Sequence, residues 1–80
     1  MSFENLLRTM VLAIVDNDII EIVEEKDAMG YRYRITVSDG DVGKLIGKSG
    51  RIANSIKAIA KAAGAKQGVK VSVWIVNTPL

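Results

Sequence analysis

The stretch Val42-Gly43-Lys44-Leu45-Ile46-Gly47-Lys48-Ser49-Gly50-Arg51-Ile52 decides how this chain is read. Gly47 and Gly50, three apart, lie between two segments with helical patterning. Glycine has no Cβ, so unusual backbone angles are open to it and another molecule can come close to the main chain. The loop leads straight into a helix N-terminus, where unsatisfied N–H groups and the positive dipole end favour an anion. Lys44, Lys48 and Arg51 surround it, and Ile46 and Ile52 flank it with apolar surface. The residues predict a phosphate seat beside an apolar floor. A bare G-x-x-G also serves as an ordinary tight helix connection. The helix–loop–helix placement and the basic decoration favour binding.

Gly47-Lys48-Ser49 imitates the end of a nucleotide P-loop. That motif needs a glycine where Val42 stands and a buried strand before it, whereas residues 41–46 read as helix. No second strand end offers a magnesium-binding Asp, so nucleotide hydrolysis is disfavoured.

On the N-terminal side, Ser38-Asp39-Gly40-Asp41 has capping-box spacing and predicts a short helix from about Asp41 to Ile46. On the C-terminal side a second helix is predicted from about Arg51 to Ala63. Its apolar stripe is Ile52, Ile56, Ile59, Ala60 and Ala63, and Gly64 is its expected stop. Val69, Val71, Val73 and Ile75 then alternate with Lys70, Ser72, Trp74 and Val76 as a final strand, with Pro79 closing the chain. Upstream, Tyr31, Tyr33, Ile35 and Val37 alternate with Arg32, Arg34 and Thr36. A polar turn from Glu25 to Gly30 joins this strand to a β-branched one from Ile19 to Glu24, whose inward face is ambiguous. The chain opens on a helix with Ser2 as N-cap and a stripe of Phe3, Leu6, Leu7, Met10, Val11, Ile14 and Val15, ended by Asp16-Asn17-Asp18. The expected architecture is α+β, in the order α-β-β-α-α-β. It is a three-stranded mixed sheet with helices on one face and the last strand parallel to the middle one, all within one domain over 1–80.

The 80 residues include no His and no Cys. That removes disulfides, thiolate chemistry and the commonest general base and metal ligand, and no metal or other cofactor is expected. The net charge of +2 hides a division. Residues 1–40 hold four cations against eight acids, and residues 41–80 hold seven against one, a basic half suited to a polyanion. The longest apolar run, Met10 to Val15, is far short of the ~20 residues a membrane span needs. No basic segment precedes a long apolar one at the N-terminus, so a cytoplasmic location is expected.

Leu45-Ile46-Gly47-Lys48-Ser49-Gly50-Arg51-Ile52 resembles the KH-domain signature, and the element order resembles type II of that domain. The whole chain is similar to the small bacterial single-KH proteins of the KhpA family. The similar segments are Val15-Asp16-Asn17, Asp41-Val42-Gly43-Lys44, Gly50-Arg51-Ile52-Ala53 and Val71-Ser72-Val73. The resemblance implies a non-catalytic single-stranded RNA binder, an RNA chaperone or post-transcriptional regulator, with about four nucleotides in a groove. It implies that Gly47 and Gly50 permit close approach, Lys48 and Ser49 offer backbone N–H groups, and Lys44 and Arg51 steer phosphates. Gly43, Ile46 and Ile52 would then wall the groove, facing the last strand near Lys70. It also implies self-association and pairing with a larger KH-domain protein.

The competing reading is a protein-interaction module with a degenerate groove. Its supports are Trp74, an exposed Ile19 or Ile20, and the stretch Asp16 to Asp27, where six acids and one Lys would repel RNA. Trp74 stands outward, either resting on the stems of Arg32, Arg34 or Lys70 or meeting a protein partner. Base stacking on it is not expected, because the KH groove lies elsewhere. Asp16, Asp18, Asp39 and Asp41 read as turn and cap residues, which leaves an enzyme without acid–base machinery.

Overall fold

Helix α1 (Phe3–Leu12), strands β1 (Glu21–Lys26) and β2 (Gly30–Val37), the helical stretch α2 (Asp39–Lys66) and strand β3 (Lys70–Asn77) follow one another in a computed structural model. It describes residues 2–19 and 21–77, and of Lys48 the backbone alone. Ile20 and Pro79 therefore lie outside the described residues. Within α2, Ser49 and Gly50 have φ of 66° and 73°, left-handed values at which a right-handed helix cannot run on. The stretch divides there into two arms, residues 39–48 and 51–66, and the order is α-β-β-α-α-β as expected.

The sheet runs β1-β2-β3, with β1 antiparallel to β2 and β2 parallel to β3. Tyr33, Ile35 and Val37 of β2 and Val71 and Val73 of β3 are buried, together with Phe3, Leu7 and Val11 of α1. Leu45, Ile56 and Ala60 of α2 complete this core. Pairing resolves the ambiguous strand: Ile22 sits opposite buried Ile35, whereas Val23 sits opposite exposed Arg34. At the sheet's corner Phe3, Tyr31 and Tyr33 pack ring against ring, with Phe3 and Tyr31 centroids 5.6 Å apart. Burial and the Glu24 carboxylate, which accepts the Tyr33 hydroxyl proton at 2.5 Å, push that phenol upward.

Several boundaries differ from the sequence reading. Strand β1 is described from Glu21, and Ile19 ahead of it is buried; it is not an exposed contact residue. Gly30 belongs to β2, and Asp27 closes the turn by accepting from the Met29 and Gly30 N–H groups at 2.8 and 3.1 Å. Gly64 does not stop α2, which continues to Lys66. A Cβ on Gly64 would lie 2.5 Å from Val71 Cγ2, so the glycine lets the helix approach β3. Ser38 makes no side-chain cap bond. Ile52 and Ile59 are not core residues; the buried face of the second arm is Ala53, Ile56 and Ala60. Small residues at 53, 60 and 64 bring α2 close to the sheet, with Ile52 and Ile59 turned outward. Among the described residues no helix is long and apolar enough to cross a membrane.

Candidate nucleic-acid interface

The corner of α2 stands beside the end of α1. Between them lies a hollow of about 380 Å³ lined by Ile14, Gly43, Lys44, Gly47, Arg51 and Ile52. It opens into a more apolar trough of about 400 Å³ between α1 and the second arm, which adds Met10, Ala13, Ser55, Ile56 and Ile59.

Gly43 and Gly47 are four apart on the first arm, so they share one helix face. A Cβ built on either meets nothing within 4 Å. The fold therefore has no packing need for glycine there, although each interior helical glycine costs about 1 kcal/mol relative to Ala. The result is a strip of bare backbone facing the hollow. Ser49 holds a left-handed φ without being glycine, which costs about 1 kcal/mol and marks the corner as strained. Both Gly47 and Ser49 are exposed. The side chain of Lys48 lies outside the described residues.

Arg51 has no ion pair among the described residues, so its charge is available at the mouth of the hollow. Lys44 pairs with the Asp16 carboxylate. Such an exposed pair adds little stability, about 0–1 kcal/mol. Its larger consequence is that Asp16 offsets one of the cations facing the hollow. Asp16→Asn is therefore expected to tighten binding of a single-stranded polynucleotide roughly threefold at low salt. It should also steepen the dependence of log affinity on log salt by about 0.7 and leave the unfolding midpoint nearly unchanged. Fluorescence anisotropy at a series of salt concentrations measures both.

Five predicted site residues thus meet: Gly43, Lys44, Gly47, Arg51 and Ile52. Ile46, 44% exposed, does not line the hollow. Lys70 does not wall it either. Lys70 starts β3 in the exposed row with Ser72 and Trp74, on the sheet face turned away from the helices, because Val71 and Val73 take the inward positions. The residues missed by the sequence reading are Met10, Ala13 and Ile14. The signal for Met10 and Ile14 was present in the excess width of the α1 stripe: Phe3, Leu7, Val11 and Val15 form one buried row, and Leu6, Met10 and Ile14 a second, less covered one. Among the described residues no group of acids could hold a metal ion.

A family model described as the KH domain of KhpA/KhpB matches residues 4–75. The RNA-binding protein KhpA of Caldanaerobacter subterraneus subsp. tengcongensis is 39% identical over 72 residues, covering 89% of this chain and 96% of its own. The RNA-binding protein KhpA of Listeria monocytogenes is 36% identical over 76 residues, with 92% and 99% covered. That of Chlamydia trachomatis is 34% identical over 72 residues, with 82% and 92% covered.

Proposed function

The chain belongs to the KhpA/KhpB KH-domain family, and from that premise we propose that it binds single-stranded RNA in the hollow beside the α2 corner. The family is non-enzymatic. The observation that carries the proposal is the bare backbone of Gly43 and Gly47 facing a hollow that also holds Lys44, Arg51 and Ile52. The sugar-phosphate chain lies against the glycines and passes the corner at Ser49 and Gly50, where the left-handed backbone breaks the helix. Arg51 and Lys44 supply charge, and Ile14 and Ile52 supply the apolar surface for about four bases. Such a footprint is small, and the protein acts in the cytoplasm as an RNA chaperone or regulator that gains hold by association.

The site of that association is a second reading, favoured by the trough. Ile52 and Ile59 are 37% and 49% exposed there beside Met10 and Ile14, an apolar run suited to another KH chain, either a second copy or a larger partner.

Gly43→Ala tests the RNA reading. A methyl group at this interior helical position meets no atom of the fold, so stability should rise by about 0.5–1 kcal/mol. The same methyl narrows the approach to the backbone and should weaken RNA binding roughly fivefold, about 1 kcal/mol. Thermal unfolding and anisotropy of a labelled single-stranded RNA measure the two together. An unmodified chain with no RNA affinity at low salt would end the proposal.

A further inference from the structure

The sheet face turned away from the helices carries an aromatic and three cations that the proposed groove does not use. Trp74, the one tryptophan of the chain, is 47% exposed there. Arg32 places its guanidinium carbon 5.0 Å from the indole centroid, a cation–π contact that holds the ring on the surface. Arg34 sits opposite Trp74 in the parallel register, and Lys70 opens the same outward row of β3. A hollow of about 360 Å³ between Arg32, Lys70, Ser72 and Trp74 flanks the ring on one side. A smaller one, about 180 Å³, flanks it on the other beside Glu25, Arg34 and Val76.

The charges decide what this face suits. Arg32, Arg34 and Lys70 have no ion pair among the described residues, in contrast to Arg8 and Lys44. Glu21 and Glu25 stand in the outward row of neighbouring β1, Glu25 opposite Arg32, yet neither forms an ion pair among the described residues. Asp27 Oδ1 accepts two turn N–H groups, which hold its carboxylate at the Gly30 end of the larger hollow. An exposed aromatic flanked by three cations free of close ion pairs, on an open sheet, is a combination that stacks a base and contacts its phosphates.

Resting on the RNA-binding reading above, we infer that this face is a second single-stranded RNA contact. One base stacks on Trp74, and Arg32, Arg34 and Lys70 hold the adjoining phosphates. A short strand engages the α2 corner alone. A longer one also reaches the sheet.

The test uses end-labelled uridine oligomers of about 4 and about 12 nucleotides, read by anisotropy of the label and by emission of Trp74. The longer oligomer should quench Trp74 and the shorter should not. Trp74→Ala should weaken the longer oligomer about tenfold and leave the shorter unchanged. Trp74→Phe, which keeps an aromatic surface, should bind the longer oligomer within about twofold of the unmodified chain. Arg34→Ser with Lys70→Ser should reproduce the loss while leaving the Arg32–Trp74 contact in place. Binding of the longer oligomer with no quenching and no loss in Trp74→Ala would overturn the second contact while leaving the groove reading intact. Absence of binding by either oligomer at low salt would overturn both. A Trp74 emission that ignores RNA but shifts to the blue with rising protein concentration would overturn it by assigning the face to a second copy.

Discussion

Lys48→Asp combined with Ser49→Asp is expected to weaken single-stranded RNA binding about 100-fold at low salt and to leave the chain folded. The two substitutions turn one positive charge at the α2 corner into two negative ones. Binding at such a site is dominated by phosphate neutralisation, so three units of unfavourable charge at closest approach act directly on affinity. The slope of log affinity against log salt should fall by roughly 2, at about 0.7 per charge for a single strand. The fold should tolerate the change for two reasons. Residue 49 is exposed, and its φ of 66° suits Asp at least as well as Ser. Lys57→Asp is the matching control. It changes the charge by two on the exposed side of the second arm, away from the hollow, and should weaken binding less than about threefold. If the folded double variant bound RNA no worse than Lys57→Asp, the corner would not be the clamp, and affinity would follow net charge alone.

The contrast between the corner and the rest of the molecule also explains what could be read without coordinates. Strand β2 was legible because Tyr33, Ile35 and Val37 alternate with Arg32 and Arg34, and one buried face leaves a single solution. The parallel pairing of β2 with β3 followed from the two-helix crossover. The glycines of the corner were legible because their spacing falls between two helical patterns. The rotation of the second arm was not. Ile52, Ile56 and Ile59 look like one stripe, but contact with β3 is set by what fits there, and Ala53, Ala60 and Gly64 allow a closer approach than isoleucines would. Propensity and period register which residues are apolar; they do not register backbone distance. Lys70 was misplaced for a related reason. Being near the groove in sequence pattern says nothing about which sheet face a side chain takes until the alternation of Val71 and Val73 is tied to the core.

Asp41→Ala is expected to destabilise the chain by about 3 kcal/mol, the largest effect of any single change to a charged residue here. The spacing from Ser38 suggested a helix cap, but the side chain does something else. Asp41 is 1% exposed, and its two carboxylate oxygens accept from the backbone N–H groups of Asp16 and Asn17 at 3.2 and 3.1 Å. It therefore pins the turn after α1 to the first turn of α2, across 25 and 24 residues of chain. Hydrogen bonds to a charged group contribute about 1.5–3 kcal/mol each, and truncation leaves two donors without their acceptors. For a domain of this size 3 kcal/mol lowers the unfolding midpoint by about 12–24 °C. Asp41→Asn keeps one acceptor oxygen in place and should lose about half as much. Asp39→Ala, two residues earlier, is the control. Asp39 also accepts a hydrogen bond, from the Asn77 amide at 2.5 Å, but it is exposed, and its loss should fall within about 1 kcal/mol. The effect should reach the proposed RNA groove as well. The pinned residues Asp16 and Asn17 follow Ile14 by two and three positions, and Ile14 lines the hollow. Below its unfolding midpoint Asp41→Ala should bind RNA more weakly than its folded fraction accounts for, as comparison of anisotropy with circular dichroism at the same temperature will show. Equal midpoints for Asp41→Ala and Asp39→Ala would mean that the buried carboxylate is not the tie between the two helices.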